Sequence, residues 1–412
     1  MPKRAGRTPL PRGEAGRKGE DIRSDLHVTV ELRDSGGLQL EVVSKVASFY
    51  GESINATAET VLRAMNVEHA SVQIDDKGAL PFAVAARVEA AARRAGSSGT
   101  APPDRTVTAN PTPRHRMRRS RLYLPGNEPK FFINAGLHEP DAIILDLEDS
   151  VHPEQKDTAR ILVRNALRCV DFRDAERMVR MNQLPLGLED LQEVVPEAPN
   201  LILIPKVEHP DQVREVQDRI ARLRPAGDHF TIWLMPIVES ALGIENAFAI
   251  ASAAETVAAI TIGLEDYTAD IGVPKTAEGM ESHYARTRLV NAAHAAGVQA
   301  IDSVFGDVGD EAGLRAWAAR SCSLGFEGMG CIHPRQIQPI HESFAPSPAE
   351  IDKALKIVAA FEAAQARGVA VVSLGTRMVD PPVVLRAQRV VEQAKRAGVL
   401  NHSNEEISGG NR

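Results

Sequence analysis

The sequence predicts an α/β protein with a (β/α)8 TIM barrel preceded by a small α+β domain. The first observation is that short, nearly continuous apolar runs alternate with helical segments from residue 118 onward. Such runs are typical of strands buried on both faces of a parallel sheet. The second is their number, since eight β/α units fit a closed barrel better than an open doubly wound sheet. The third is that neither GxGxxG nor GxxxxGKS/T follows a strand.

Composition shifts divide the 412 residues into five segments. Residues 1–22 are rich in Arg, Lys, Gly and Pro, and we expect a disordered tail. Residues 23–95 form the small domain, and 96–117 form a Pro/Ser/Thr-rich linker, expected to be a semi-flexible arm. A tethered domain favours delivery of a group to the larger domain; an accessory domain that only packs is the alternative. The barrel covers 118–395, and 396–412 form a C-terminal tail.

The small domain is predicted from alternating strand patterns and two helical patterns. A turn signal, Asp34-Ser35-Gly36-Gly37, separates the first two strands. The predicted elements are strands at 26–32, 38–43 and 70–76 and helices at 44–65 and 81–94.

Polar residues gather at the C-terminal ends of the eight predicted barrel strands, which is where TIM barrels carry their function. Burial of many charges in one mouth is costly unless they pair or bind an ion. Acids outnumber bases here, so we expect a bound divalent cation. The strands are predicted at 120–125, 142–149, 176–182, 201–208, 231–239, 259–266, 299–305 and 327–334. The polar residues are Asp146, Glu148, Asp149, Arg180, Asn182, Lys206, Glu208, Glu239, Glu265, Asp266, Asp302 and His333.

Glu239 and Asp266 are the candidate metal ligands because they end adjacent strands, with no His or Cys pair nearby. Two carboxylates favour a hard cation with oxygen ligands, and magnesium takes one or two carboxylates plus waters and substrate oxygens. The alternative is that one of the two only caps a helix or pairs with Lys or Arg.

Arg180 lies in the same mouth, and its guanidinium suits a carboxylate or a developing enolate oxygen. The alternative is a structural ion pair with Asp149 or Glu148, and the two roles are compatible. Asp149 has two candidate roles, which are to orient Arg180 or to hold a metal-bound water.

Three further residues at the strand ends have competing interpretations. Lys206 is either a Schiff-base lysine or, as we favour beside a metal, a charged partner of Glu208 or Asp146. His333 is either a general acid/base or a hydrogen-bonded loop anchor, and we favour the anchor. Cys331 is predicted to be a small buried residue rather than a nucleophile.

These groups suit cleavage or formation of a carbon–carbon bond next to a carbonyl. The metal would act as a Lewis acid on a 2-keto acid or its hydroxy-acid adduct. The arginine and the metal would stabilise an enolate, and a carboxylate would transfer the proton.

Composition excludes several other classes of protein. A formal net charge of −7 gives no electrostatic reason to expect nucleic acid. No stretch reaches the roughly 18 apolar residues of a membrane span, and no signal-peptide pattern follows the start. Cys169, Cys322 and Cys331 form neither a disulfide framework nor a metal-type pair spacing. We expect a cytoplasmic enzyme.

The large domain resembles the citrate lyase beta subunit (citryl-CoA lyase) within the HpcH/HpaI aldolase/citrate lyase superfamily. The matching motifs span nearly all of the barrel segment, in the family's order. They are RRSRLYLPGNEPK (118–130), ILDLEDSV (144–151), VRMN (179–182), PIVESALGIENA (236–247), GLEDYTADIG (263–272), GCIHPRQI (330–337) and RMVDPPVV (377–384).

The small domain resembles the citrate lyase gamma subunit, an acyl carrier protein, in SDLHVTVEL (24–32), GLQLEV (37–42) and DDKGALPFAVAARVEAAARRA (75–95). The family's carrier attaches a phosphoribosyl-dephospho-CoA group to a Ser just before the first strand. Arg23 occupies that position here, so Ser24 is the attachment candidate by a one-residue shift, and Ser35 is a weaker one. The alternative is that the enzyme uses free CoA thioesters.

The resemblance also implies roles for barrel residues. It implies magnesium on Glu239 and Asp266, contact of Arg180 with the thioester or enolate, and substrate contacts from Glu148 and Asp149. Related malyl- and citramalyl-CoA lyases use an Asp near the C-terminus that reaches a neighbouring subunit's site, and that position here is Asp380. An ordinary turn before two prolines is the alternative. These enzymes are usually trimers or hexamers.

The sequence therefore predicts a magnesium-dependent lyase that splits a citryl-type 3-hydroxyacyl thioester into an acetyl thioester and a 2-keto acid such as oxaloacetate. A malyl- or citramalyl-CoA lyase and an aldolase for free keto acids are alternatives within the superfamily. A non-catalytic carrier or scaffold subunit is the alternative from another class. Expected partners are a CoA or carrier thioester, other copies of the chain and, if the carrier is used, a citrate lyase alpha (transferase) subunit.

Overall fold

The small domain is a four-stranded sheet with two helices. The computed structural model describes residues 10–225, 227, 229–366, 372–374 and 377–400. The sheet order is β1-β2-β4-β3, with β2 antiparallel to both neighbours and β3 parallel to β4. The elements are β1 (Arg12–Gly16), β2 (Leu26–Leu32), β3 (Leu38–Ser44), α1 (Ala47–Ala64), β4 (Ala70–Asp76) and α2 (Pro81–Arg94).

The prediction of a disordered tail over 1–22 is wrong for its described part. Residues Arg12–Gly16 form an edge strand paired with β2. The segment RGEAG shows no apolar alternation, so its order comes from backbone hydrogen bonds and from close packing on α2. A side chain at Gly13 would collide with the backbone of α2, so glycine is required there. Residues 1–9 and 401–412 lie outside the described residues.

The linker over 96–117 is packed on the barrel, so the expectation of a semi-flexible arm is also wrong. The backbone N–H of Val107 donates to the carbonyl of Arg168 at 3.1 Å. The Trp233 indole N–H donates to the Thr112 carbonyl at 2.8 Å. Proline and serine gave the segment its linker-like composition, but its backbone groups find partners across the N-terminal end of the barrel.

The predicted TIM barrel is confirmed. Its eight parallel strands close in the order β10-β11-β12-β5-β6-β7-β8-β9. The strands are β5 (Ser120–Pro125), β6 (Ala142–Asp146), β7 (Glu176–Arg180), β8 (Leu201–Ile204), β9 (Trp233–Val238), β10 (Ala259–Ile262), β11 (Gln299–Asp302) and β12 (Gly328–Cys331). Most end earlier than predicted, so several of the polar residues lie in the loops above the barrel.

Helices and short turns surround the strands. The helices are α3 (Pro129–Phe132), α4 (Lys156–Cys169), α5 (Gly187–Val194), α6 (Pro210–Leu223), α7 (Ala241–Glu245), α8 (Ala247–Ala251), α9 (Leu264–Asp270), α10 (His283–Ala296), α11 (Glu311–Leu324) and α12 (Ile337–Phe344). Turns of 3₁₀ helix lie at Ala135–His138, Pro153–Gln155, Val195–Glu197 and Pro334–Gln336. The C-terminal segment adds α13 (Pro348–Gln365), an antiparallel pair β13 (Val372–Leu374) and β14 (Arg377–Val379), and α14 (Pro381–Arg396). None of the described helices has both the length and the apolar content of a membrane span.

Two apolar clusters form the core. The larger one lies between the strands and the helices and continues into the small domain. The smaller one fills the barrel interior beneath the mouth. Its members are Ala142, Ile144, Met178, Leu201, Leu203, Met235, Ile237, Ala259 and Ile301.

The small domain docks on the barrel through α2, which packs against α4. Across this contact the Glu89 carboxylate pairs with the Arg164 guanidinium at 2.6 Å, and Glu89 is fully buried. Arg87 pairs with Asp25 inside the small domain and also donates to the carbonyl of Asn127 at 2.9 Å. Asn127 follows β5, so this contact lies on the side of the barrel that carries the strand C-termini.

Candidate active site

A cavity of about 430 Å³ opens at the C-terminal ends of the barrel strands. It is the place where the sequence predicted the site. The polar residues lining it include Arg121, Asp146, Asp149, Arg180, Glu239 and Asp266.

Arg180 is held at the edge of this cavity by Asp146. The two residues are register partners at the ends of β7 and β6. Nε of Arg180 donates to Oδ1 of Asp146 at 2.6 Å, and Nη2 donates to Oδ2 at 2.7 Å. Burial disfavours the charged guanidinium, but the Asp146 carboxylate outweighs it, so the pKa of Arg180 lies above its usual value. Arg180 is therefore a fixed positive charge.

The two ion-pair partners predicted for Arg180 are also present. Nη1 lies 3.0 Å from Oε2 of Glu148 and 3.2 Å from Oδ2 of Asp149. The main partner, Asp146, was not among the predicted ones. The signal for it was available, because Asp146 is the last residue of its strand and β6 neighbours β7.

Glu148 and Asp149 are adjacent in sequence but differ in environment. Glu148 is buried, and its Oε1 accepts a hydrogen bond from Nε2 of Gln183 at 3.1 Å. Burial raises the pKa of Glu148 to about 7. Asp149 is exposed and lines the cavity.

Glu239 follows β9 and is 7% exposed. Its Oε1 accepts the backbone N–H of Lys206 at 2.8 Å. On its other side Gly263 leaves room for the carboxylate, because a Cβ at Gly263 would collide with Oε2. Burial and, next, the Asp266 carboxylate raise the pKa of Glu239 to about 7.

Asp266 lies in the first turn of α9, and its Oδ1 accepts a hydrogen bond from Nζ of Lys206 at 2.6 Å. The partners predicted for Lys206, Glu208 and Asp146, are therefore wrong. Lys206 has a left-handed backbone with φ of 50°, which directs its chain differently from an extended residue. Burial lowers the pKa of Lys206, but Asp266 and Glu239 together raise it above its usual value, which favours the ammonium over the neutral amine of a Schiff-base lysine.

The donor set fits a hard divalent cation. Within the described ranges no three His, Cys, Asp or Glu side chains are grouped closely enough to form a complete metal cage. Magnesium requires fewer protein ligands, because it keeps waters and takes substrate oxygens. Burial and, next, the Asp266 carboxylate raise the pKa of Glu239, and a cation between the two carboxylates would relieve their repulsion. Glu239 and Asp266 are the residues that would hold it.

His333 and Cys331 behave as predicted. Nδ1 of His333 accepts the backbone N–H of Arg335 at 3.1 Å and caps a 3₁₀ turn, as expected of a loop anchor. Cys331 is fully buried, and burial raises the pKa of its thiol to about 12.

Two predicted site residues lie elsewhere in the chain. Asp380 caps the N-terminus of α14, where its Oδ1 accepts the backbone N–H of Val383 at 3.2 Å. It is not among the residues that line the cavity of its own chain. Ser24 lies half-buried in the loop before β2, with a left-handed φ of 55°.

Comparison with known proteins identifies the family. Residues 119–334 match the model of the HpcH/HpaI aldolase/citrate lyase family. The chain belongs to this family. Residues 19–95 match the ACP family model described as malonate decarboxylase delta subunit (MdcD), which confirms the acyl-carrier-like domain.

Relatives of the family match about two thirds of this chain over most of their own length. The citrate lyase subunit beta of Leuconostoc mesenteroides subsp. cremoris is 40% identical over 286 residues, which are 68% of this chain and 94% of the relative. The mitochondrial citramalyl-CoA lyase of Homo sapiens is 33% identical over 67% of this chain and 85% of its own length. The crystal structure of protein CitE from Mycobacterium tuberculosis, in complex with magnesium, acetoacetate and coenzyme A, is 27% identical. It covers 69% of this chain and all of that chain, with a TM-score of 0.56.

Arg121, which also lines this cavity, was missed by the sequence analysis. Arg121 lines the cavity from within the barrel and is 1% exposed. The signal was a charged residue at the second position of the predicted strand SRLYLP, where a strand buried on both faces has no need of one.

Proposed function

We propose that the protein is a magnesium-dependent carbon–carbon lyase. Its substrate is a 3-hydroxyacyl thioester of the citryl type, and its products are an acetyl thioester and a 2-keto acid such as oxaloacetate. The observation that carries the proposal is that Glu239, Asp266 and Arg180 line one cavity at the C-terminal end of the barrel. The relatives named citrate lyase subunit beta support the citryl-type substrate.

Glu239 and Asp266 would hold the magnesium ion. When bound, the ion supplies Lewis-acid polarisation of the keto-acid oxygens. Glu239 has a fixed position, because Lys206 bonds it from the backbone and Gly263 admits its carboxylate. The Lys206 ammonium supplies a positive charge at Asp266.

Arg180 stabilises the negative charge that develops on the thioester oxygen when the bond between C2 and C3 of the acyl chain breaks. Asp146 fixes both the orientation and the charge of this guanidinium. A preorganised cation needs no reorganisation during the reaction, which is the main source of electrostatic catalysis.

One proton leaves the C3 hydroxyl, and one proton is added to the enolate carbon that becomes the acetyl methyl group. Two carboxylates are candidates for this transfer. Asp149 lines the cavity of its own chain. Asp380 would come from a neighbouring subunit of a homo-trimer or homo-hexamer, which agrees with its position outside the cavity of its own chain.

The shared-site interpretation is tested by mixing two variants that we expect to be inactive, Arg180→Gln and Asp380→Ala, after partial unfolding and reassembly. A site built from two subunits recovers part of the activity in the mixed oligomer. If the mixture stays as inactive as the two variants alone, the site is not shared between subunits. If Asp380→Ala alone retains full activity, Asp380 has no catalytic role.

Two roles of the carrier-like domain are compatible with this proposal. Ser24 carries a phosphoribosyl-dephospho-CoA group that serves an alpha (transferase) subunit, or the domain is unmodified and the barrel uses free CoA thioesters. Intact-mass spectrometry of the protein from its native source distinguishes them, and a Ser24→Ala variant locates any adduct. We place the enzyme in the cytoplasm, since its cysteines Cys169, Cys322 and Cys331 are free.

The function is tested with a panel of substrates, using purified enzyme with magnesium or with EDTA. Citryl-CoA, citramalyl-CoA, malyl-CoA and free 4-hydroxy-2-keto acids are compared by release of the keto acid. Magnesium-dependent release of oxaloacetate from citryl-CoA at the highest kcat/KM is the expected result. Preference for citramalyl-CoA or malyl-CoA would assign the protein to that class of lyase instead. Relatives with these names are 33% and 32% identical to this chain. Cleavage of the free acids alone would indicate an aldolase, and no cleavage at all a scaffold.

A further inference from the structure

Arg121 is a buried cation at the floor of the cavity. It is the second residue of β5, so its side chain starts near the N-terminal end of the barrel, deeper than Glu239 and Asp266 at the mouth. The residue is 1% exposed, yet it lines the cavity. Any ligand that fills this cavity therefore meets the Arg121 guanidinium at its deep end.

The hydrogen-bond partners of Arg121 carry no full negative charge. Nη1 donates to the sulfur of Met235 at 3.0 Å, and Nη2 donates to Oγ1 of Thr261 at 3.1 Å and to the carbonyl of Asp302 at 3.3 Å. Nε has no partner. A thioether sulfur is a weak acceptor, so the donors of this guanidinium are poorly satisfied.

Two other buried arginines of the barrel pair with a carboxylate, whereas the buried Arg177 donates only to an amide oxygen and backbone carbonyls and does not line the cavity. Arg118 pairs with Glu176 at 2.7 Å, and both side chains are fully buried. Arg286 pairs with the carboxylate of Asp302. Asp302 accepts a hydrogen bond from Arg121 only through its backbone carbonyl. Its carboxylate oxygen Oδ2 accepts from Arg286 and from the Ser321 hydroxyl instead. Arg121 has no carboxylate within 4.0 Å among the described residues.

Burying a guanidinium without a counter-charge costs free energy, and binding of an anion next to it recovers part of that cost. Burial lowers the pKa of Arg121, which shows the same cost. The apolar side chain of Ile237 and the ring of Tyr123 also line the cavity. An anionic group that enters here is desolvated, and a charge-assisted hydrogen bond is strong in such surroundings.

We propose that Arg121 forms a subsite for a second carboxylate of the substrate. The inference rests on the proposed function and narrows its substrate class. Citryl and citramalyl thioesters differ at C3, where one bears CH₂COO⁻ and the other CH₃. The subsite receives the distal carboxylate, so the enzyme selects thioesters that release a dicarboxylic keto acid over those that release pyruvate.

The test compares Arg121→Met with the wild type on citryl-CoA and citramalyl-CoA. Methionine keeps much of the side-chain length and removes the charge. We expect kcat/KM for citryl-CoA to fall at least about a hundredfold, while the value for citramalyl-CoA stays within a few-fold, since a site built to bind a polar group discriminates strongly against its absence. Arg121→Lys should restore part of the preference. An equal loss on both substrates, or no loss, would overturn the subsite.

Ile237→Val is the matched control, because it changes the apolar lining of the cavity without changing charge. The ratio of the two kcat/KM values should remain that of the wild type in this variant. If Ile237→Val shifts the ratio as far as Arg121→Met does, packing rather than charge sets the preference and the proposal fails.

A binding measurement separates this inference from the proposed function. Calorimetric titration of the magnesium-loaded wild type with oxaloacetate and with pyruvate requires no turnover. Preference for oxaloacetate of about tenfold or more, lost in Arg121→Met, supports the subsite even if no thioester is cleaved. Equal affinities in the wild type would overturn it even if citryl-CoA is cleaved. Should Arg121→Met fail to fold, a crystal structure of the wild type with magnesium and oxaloacetate decides. The distal carboxylate must lie about 3 Å from the guanidinium.

Discussion

The acids at the barrel mouth differ in what neutralises them. Asp146 has the Arg180 guanidinium, and Asp266 has the Lys206 ammonium. Glu239 has a backbone N–H, and burial and, next, the Asp266 carboxylate raise its pKa to about 7. This difference makes Glu239 the carboxylate with most to gain from a cation, which is the basis of the metal assignment.

The raised pKa of Glu148 predicts how the stability of the protein depends on pH. Its pKa is raised to about 7, whereas an unfolded Glu titrates near 4.3. The folded state therefore binds an extra proton between about pH 4.5 and 7, and stability falls as pH rises through this window. Above pH 7 the buried carboxylate is charged and unfavourable. Glu148→Gln should be more stable than the wild type at pH 8, by about 1–3 kcal/mol, and nearly equal to it at pH 5.

The measurement for Glu148→Gln is urea unfolding in EDTA at both pH values. Activity should fall in the same variant, because Arg180 loses a charged neighbour 3.0 Å away. Equal stabilisation at pH 5 and pH 8, or none at pH 8, would contradict the assigned pKa shift.

Sequence reasoning reached some of these residues and missed others for a physical reason. Glu239 and Asp266 were predictable, because strand C-termini converge in a barrel whatever the side-chain rotamers. The partners of Lys206 were not, because they depend on a left-handed backbone that the sequence does not mark. Arg121 could be recognised as a charged residue in an apolar strand. That it has no carboxylate partner could not be predicted, because ion-pair partners come from distant parts of the chain.

At the scale of elements, the small-domain elements followed their patterns most closely, whereas most barrel strands end earlier than predicted. The small-domain strands at 26–32 and 70–76 and the helix at 81–94 have the predicted bounds. The segments that failed, Arg12–Gly16 and the linker over 96–117, are ordered by contacts with distant parts of the chain. Composition reports local preference and therefore cannot detect such order.

The contact between α2 and the barrel predicts that a substitution at Glu89 lowers the stability of the protein. Glu89 is fully buried and pairs with Arg164 and Arg93, both at 2.6 Å. Glu89→Gln should destabilise the protein by about 3–5 kcal/mol, since it leaves buried guanidinium charge uncompensated. It should also speed cleavage of the linker in limited proteolysis. Glu59→Gln is the control, because Glu59 pairs with Arg63 on the exposed face of α1. An unchanged melting temperature in Glu89→Gln would contradict the docked arrangement.

At the scale of the whole molecule, a carrier-like domain is joined to a lyase-family barrel by a packed linker. The contact from Arg87 to the Asn127 carbonyl places the small domain beside the loop that follows β5. That loop belongs to the face of the barrel where the cavity opens. The expected mobile delivery arm is thus replaced by a domain held beside the mouth.

The central claim is that Glu239 and Asp266 together hold a magnesium ion required for carbon–carbon cleavage. Magnesium titration by calorimetry, with the lyase assay on the same samples, tests it directly for Glu239→Gln, Asp266→Asn and the wild type. The control is Glu265→Gln, whose carboxylate pairs with Lys275 instead. We predict one magnesium ion per wild-type chain, affinity at least about tenfold weaker in both ligand variants, and loss of their activity. Wild-type magnesium affinity and turnover in either Glu239→Gln or Asp266→Asn would contradict the account.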